Sequence, residues 1–249
     1  MPYRASPHQQ GTVAADAQSL QRQITLFVMR PIVSRQRVGL QKLVLNDHSK
    51  QSIWLLMPWE KRFDIDGTLT LAMQTFWTHG YEATSMQDLV TATGVNRASL
   101  YATYGDKREL FLTALRRYDG EVRQRTLTEL GQTLSPSDAV RAIFDKFIGQ
   151  TQVPNGNWGC FLVNTALELA AHDAELAEMV NKAQDEIEAF LLAMIRKGQA
   201  SGEFNAEGDA AMLAHQALAA FLGMLVMIRS RPKPEYLEAI RDGVLKSLV

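Results

Sequence analysis

Three observations in the sequence predict an all-α fold. Apolar residues recur at the helical spacing from Asp64 almost to the end of the chain. No stretch alternates in the manner of a strand for more than a few residues. Glycines, prolines and capping residues punctuate the periodic runs where helices should stop and start. The expected architecture is a three-helix group near the N-terminus followed by a larger helical domain. Three segments are expected: 1–56, 57–106 and 107–249.

Residues 1–56 lack sustained periodicity. They carry seven basic residues against Asp16 and Asp47, a balance of +5, whereas the remainder carries −6. MPWEKRFDID, beginning at Met57, reads as a natural protein start, so 1–56 is expected to be an unstructured leader or an over-extended start. A basic arm for nucleic acid and an organelle transit peptide are the alternatives.

From Asp64 the helical period takes over. Ile65, Leu69, Ala72, Met73 and Phe76 form one apolar stripe, and Gly80 supplies a left-handed stop. Thr84 and Gln87 have the spacing of a capping box for the next helix, with Met86, Leu89 and Val90 facing inward. Gly94 breaks that helix. Asn96 is placed to cap a third, anchored by Leu100, and Asp106 to open a longer helix running to about Leu130. Five further helical segments follow: SPSDAVRAIFDKFIGQ, CFLVNTALELAA, AELAEMVNKAQDEIEAFLLAMIRKGQ closed by Gly202, DAAMLAHQALAAFLGMLVMIRS and PEYLEAIRDGVLKSL. The loop PNGNWG separates the first two.

With 249 residues, 46% of them hydrophobic, there is ample material for a core, and a net charge of −1 names no partner. Cys160 is the only cysteine, which rules out an intrachain disulfide and fits a reducing compartment.

The stretch TSMQDLVTATGVNRASLYATYGDKREL is the most informative. Two short helices joined by a glycine turn present the second one outward, with Asn96, Arg97, Ser99, Tyr101 and Thr103 on show. Such a helix can enter a major groove and hydrogen-bond base edges. Lys107 and Arg108 open the next helix, where cations oppose the helix dipole and an external anion would give them a reason. A plain helical hairpin with a solvated face fits the spacing equally well. Charge does not decide, because residues 57–109 hold more acids than bases.

The run FDIDGTLTLAMQTFWTHGYEATSMQDLVTATGVNRASLYATYGDKRELFLTALRRY, with its GYEATS link and LYATYGDK segment, resembles the DNA-binding domain of TetR/AcrR-family transcriptional regulators. The resemblance implies an N-terminal helix-turn-helix DNA-binding domain and a C-terminal helical ligand-binding and dimerisation domain. It implies phosphate contacts from Tyr101 and Lys107, and base-edge or groove contacts from Asn96, Arg97, Ala98, Ser99 and Thr103. Thr84 would cap the second helix and touch the DNA backbone. Two departures stand out: Val90 replaces a small residue, which would open the helix crossing slightly, and Tyr104 replaces a phenylalanine.

In the second half, Leu237, Ile240, Val244 and Leu248 make a stripe at helical spacing. Ala210–Ile228 is apolar except for His215 and Gln216, long enough to pass as a membrane span. A dimer through the last two helices is the simpler expectation, with Ala219 and Gly223 letting a partner helix approach. Met179, Met194, Met212, Met224 and Met227, with Phe161, Phe190, Phe204 and Phe221, are candidates for an adaptable effector pocket. Cys160 follows Gly159 at a helix start, where the dipole should lower a thiol pKa. NGNWGCFLVNTALELA is similar to a branch of the family in which such a cysteine senses oxidants or electrophiles. His172, Asp173 and Glu175 straddle a helix boundary where Asp173 is expected as a cap rather than a metal ligand.

The sequence thus predicts a cytoplasmic, homodimeric regulator, more a repressor than an activator. It would bind a double-stranded, inverted-repeat operator and answer to a small-molecule effector or to modification of Cys160. No cofactor, metal site or catalytic group is expected. The rivals are a helical protein-interaction module and a thiol enzyme built on Cys160 with His172 or His215.

Overall fold

The computed structural model describes residues 63–154 and 156–249. The expected leader, 1–56, lies outside the described residues. The chain divides into two units, Met1–Thr68 and Leu69–Val249. Of the first unit only residues 63–68 are described. Here Asp64 opens the first helix, its side chain accepting the Gly67 N–H at 3.0 Å.

Every regular element among the described residues is helical. The first group is α1 (Ile65–His79), α2 (Met86–Thr93) and α3 (Arg97–Tyr104). Ala72, Met73 and Phe76 are buried as the stripe predicts, whereas Ile65 is 41% exposed. Gly94 closes α2 in the left-handed conformation at φ 69°, its N–H donating to Val90 O. This is a backbone geometry that glycine adopts without cost. Leu89 and Leu100 are the buried anchors of the two short helices, and Val90 is only half-buried.

Helix α4 (Lys107–Arg117) runs on through a π-helical segment, Tyr118–Gln124, into α5 (Arg125–Thr133). The sequence predicts one helix here and gives no hint of the wider turn. Next come α6 (Pro136–Ile148), a 3₁₀ turn at Gly149–Gln152, α7 (Phe161–Glu168) and α8 (Ala174–Ser201). The chain ends with α9 (Ala210–Ser230) and α10 (Pro234–Ser247). Within the second unit α8 packs on α9, α9 on α10, α10 on α6 and α6 back on α8. Phe221 of α9 meets the rings of Phe144 and Phe147 at 5.2 and 5.5 Å in T-shaped pairs.

One close approach and one left-handed turn explain the glycines on α8 and at its end. A Cβ on Gly198 would sit 2.1 Å from the Phe204 ring, and Gly202 ends the helix at φ 80°. The expected methionine and phenylalanine pocket does not form. Met194, Met224, Phe161 and Phe204 are core, and Met212 is 58% exposed. Phe221 lines a small cavity beside Tyr118 and Cys160, and Phe204 a separate open groove between α6 and α10, so the nine are not gathered on one pocket wall.

Candidate nucleic-acid interface

Helix α3 is set by its ends. Asn96 caps it, its side chain accepting the Ser99 N–H at 2.9 Å, and Gly105 terminates it at φ 81°. With Leu100 turned fully inward, Arg97, Ala98 and Tyr101 remain exposed and Ser99 and Thr103 half-exposed. Tyr101, 43% exposed, is a large ring left in solvent beside polar neighbours. Tyr104, the second departure, is half-buried at the end of the same helix.

Three expectations are corrected. Ser85, not Thr84, caps α2: its hydroxyl accepts the Asp88 N–H at 3.1 Å while Asp88 accepts the Ser85 N–H at 2.8 Å. Thr84 is 1% exposed and donates its hydroxyl to Gly80 O at 2.6 Å, so it cannot reach DNA. Arg108 does have an anion, but an internal one. It makes a bidentate pair with Asp173 at 2.8–3.1 Å and also reaches Glu175 at 3.0 Å. These bonds raise the Arg108 pKa and hold the Asp173 carboxyl below its ordinary value. Asp173 also caps α8, as expected. The Lys107 ammonium lies 4.1 Å above the Tyr81 ring, a cation–π contact that positions it at the edge of α3.

The third correction concerns Cys160. It stands at the start of α7, but it is buried and its pKa is raised. Burial outweighs the Tyr118 hydroxyl, which donates to Sγ at 3.4 Å, and the amides of Val163 and Leu162. The dipole argument fails because the thiol faces the interior rather than water.

Around this cysteine lies a set of residues that no motif announces. Trp77, at the end of α1, donates its indole N–H to Gly159 O at 3.2 Å and meets the Tyr118 ring at 4.9 Å. Arg229 of α9 donates to Trp77 O at 3.3 Å and to Trp158 O at 3.2 Å. Glu168, at the end of α7, accepts the N–H groups of Glu82 at 2.7 Å and Tyr81 at 3.1 Å, just ahead of α2. The α1–α3 group is therefore joined to the Cys160 loop and to α9 by direct hydrogen bonds. A tryptophan just outside the α1 stripe is the only trace of this in the sequence.

Residues 69–114 match the family described as bacterial regulatory proteins, tetR family. Residues 136–244 match the tetracyclin repressor-like C-terminal domain. The chain is 34% identical over 147 residues to the uncharacterized HTH-type transcriptional regulator YezE of Bacillus subtilis, covering 59% of this chain and 76% of that protein. It is 30% identical over 187 residues to the HTH-type transcriptional repressor ComR of Escherichia coli, covering 75% and 89%. Among solved structures it resembles CifR, a TetR-family regulator captured as a cysteine mutant with 26-base-pair operator DNA. There the identity is 26% and the TM-score 0.64, over 75% of this chain and 97% of that one. With two such relatives and both domain matches in register with the helices above, the chain belongs to the TetR family of DNA-binding transcriptional regulators.

Proposed function

We propose that the protein is a homodimeric repressor whose two α3 helices occupy successive major grooves of an inverted-repeat operator. The observation that carries this is α3 itself, a capped helix with one buried anchor and its polar residues outward. In this reading Arg97, Ser99 and Thr103 reach base edges, with Asn96 and Ala98 at the groove. Tyr101 and Lys107 hold phosphates. The organisation is a DNA-binding domain over 57–106 and a regulatory domain over 107–249, with 1–56 a leader or an over-extended start. A chromosomal operator puts the protein in the cytoplasm. CifR bound to its operator supports the choice of duplex DNA.

The dimer forms through α9 and α10. One face of α9 is buried by Ala214, Ala217, Phe221, Met224 and Leu225. The other exposes Met212, Ala219, Gly223 and Val226, and α10 exposes Tyr236 and Gly243. A Cβ on Gly223 or Gly243 would meet nothing within 4 Å, so a second helix has room to approach. This explains why a helix of membrane-spanning length and composition is only 33% buried in the single chain.

Release follows from a small effector or from oxidation or alkylation of Cys160. A hydroperoxide would transfer one oxygen to the sulfur, giving a sulfenic acid and water or an alcohol. Either event enlarges the space around Cys160 and Tyr118, and Trp77 carries the displacement to α1. To act, it must favour a head spacing that cannot match the operator.

Fluorescence anisotropy of the full chain on DNA from upstream of its own gene tests the reading. Tight binding that is lost on scrambling the duplex supports it. Equal binding to both duplexes, with the protein folded, counts against it and favours a protein partner. A Cys160→Ser variant that still releases DNA on peroxide treatment would remove the redox branch.

A further inference from the structure

The turn between α1 and α2 is held by a residue 87 positions away. Gly80 leaves α1 in the left-handed conformation at φ 89°. Successive N–H groups in a turn make a concavity suited to an anion, and the two that follow Gly80 are both taken by one carboxylate. Glu168 Oε1 accepts the Glu82 N–H at 2.7 Å, and Oε2 accepts the Tyr81 N–H at 3.1 Å. A Cβ on Gly80 would stand 2.8 Å from Oε2, so a side chain there would push the carboxylate away as well as strain the turn. Glu168 is the last residue of α7. The end of that helix is thus seated on the backbone that leads into α2 and α3.

The Tyr81 side chain extends the connection. Its ring stacks on Phe76 at 6.2 Å and meets the edge of Phe111 at 4.9 Å, which wedges it between α1 and α4. Over the ring lies the Lys107 ammonium, 4.1 Å from its centre. A ring face orients an ammonium without neutralising it, so the charge stays available to an outside anion. Two bonds from one carboxylate hold the Tyr81 backbone in place, and the ring carries that constraint to Lys107.

We propose that Glu168 is a positioning residue for DNA binding: its carboxylate fixes Tyr81, and the Tyr81 ring presents the Lys107 ammonium to a DNA phosphate. This rests on the reading of Lys107 as a phosphate-holding group. It gives Glu168 an effect opposite in sign to that of its own charge. A carboxylate on a DNA-binding protein repels phosphate, so by charge alone its removal would tighten binding. Acting through Lys107, its loss weakens binding instead.

Anisotropy of the full chain on DNA from upstream of its own gene, taken across a salt series, reads both affinity and the number of phosphates neutralised. Lys107→Ala should lower the slope of log affinity against log salt by about 0.9, one phosphate, and weaken binding roughly eightfold at about 0.1 M salt. Glu168→Ala should cost most of the same slope. In its background Lys107→Ala should then add less than about twofold, the usual error of additivity. Glu168→Gln loses the charge but keeps one acceptor oxygen, so it should fall between. Thermal melts establish which variants fold, and if Glu168→Ala does not, Glu168→Gln carries the double-variant comparison. Tighter binding by a folded Glu168 variant, or losses that simply add in the double variant, overturns the proposal. So does an unchanged slope in Lys107→Ala, which leaves the repressor reading standing if the wild-type chain still tells this DNA from a scrambled duplex. Failure to tell them apart, with the coupling of Glu168 to Lys107 intact, counts against the operator reading alone.

Discussion

Helix α3 and the cavity behind Cys160 show two ways of holding polar groups. On α3 they sit in water on a helix whose shape needs only a cap, one buried leucine and a terminal glycine. Behind Cys160 the polar groups are drawn inward: Arg123, 6% exposed, is paired with Asp119 and Glu186, and the half-buried Lys146 reaches only the Thr126 hydroxyl and Val122 O. The first arrangement costs almost nothing to fold. The second burdens the fold, because desolvation of the Lys146 ammonium is only partly offset by its hydrogen bonds. Stability and binding should therefore separate in opposite directions at the two places.

The sharpest separation is expected on α3. The double variant Arg97→Ala, Tyr101→Ala removes one base-reading and one phosphate-holding side chain, so operator affinity should fall by about 3 kcal/mol, a hundredfold or so. Both residues are exposed, so the melting temperature should stay where it is. Anisotropy and a thermal melt on the same preparation check both halves. A large loss of stability would mean that α3 is part of the core and would break the comparison.

At the cavity the opposite is expected. Lys146 has a folded-state pKa of about 8, below its unfolded value of 10.5. The unfolded chain then binds more protons between those values, so this group's destabilising effect is complete below pH 8 and disappears as pH rises towards 10.5. Cys160 and Tyr118 have raised values and act in the other direction at high pH. The difference between wild type and Lys146→Met isolates the lysine. The variant should be more stable at pH 7 by on the order of 2 kcal/mol, with the gap closing by pH 10.5. Urea unfolding across that range measures it, and a variant less stable at pH 7 would show that the ammonium has a counter-ion after all.

These two regions also differ in how far they can be read from the sequence. The stripe of α1, the glycine at 94, the Asn96 cap and the Leu100 anchor all act within a few residues, so spacing exposes them. Lys146 and Arg123 lie 23 positions apart, on different helices, and line the same small cavity. Nothing in YDGEVRQ signals its π-helical turn. Cys160 failed for a related reason: position at a helix start is local, whereas its burial comes with groups distant in sequence such as Tyr118, 42 positions earlier, whose hydroxyl donates to Sγ. Arg108 shows the same limit, since its partner Asp173 is 65 positions away.

Between the two sits the packing that holds the regulatory domain together, and Gly198 tests it. Alanine would gain about 0.5–1 kcal/mol in helix propensity, but its methyl must enter the Phe204 ring. That ring is 5% exposed with little freedom to move, so a net loss of about 1–2 kcal/mol is expected. Denaturant unfolding reads it, and a stabilised Gly198→Ala would mean that the turn after α8 gives way easily.

The smallest effect decides a point of assignment beside α3. Thr84 and Ser85 are adjacent hydroxyl residues ahead of α2, and the sequence cannot rank them because Thr84–Gln87 and Ser85–Asp88 both have capping-box spacing. The structure gives the cap to Ser85 and sends the Thr84 hydroxyl back to Gly80 O. Ser85→Ala should then cost about 1 kcal/mol, because the Asp88 N–H loses its acceptor and the Asp88 carboxylate loses the Ser85 hydroxyl, keeping only the Ser85 N–H. Ser85→Thr should recover most of it. Thr84→Ser keeps the bond to Gly80 O and should lose only about 0.8 kcal/mol for one buried methyl. If Ser85→Ala were silent while Thr84→Val, which removes the hydroxyl, were costly, the cap would belong to Thr84 and the start of α2 would shift by one residue.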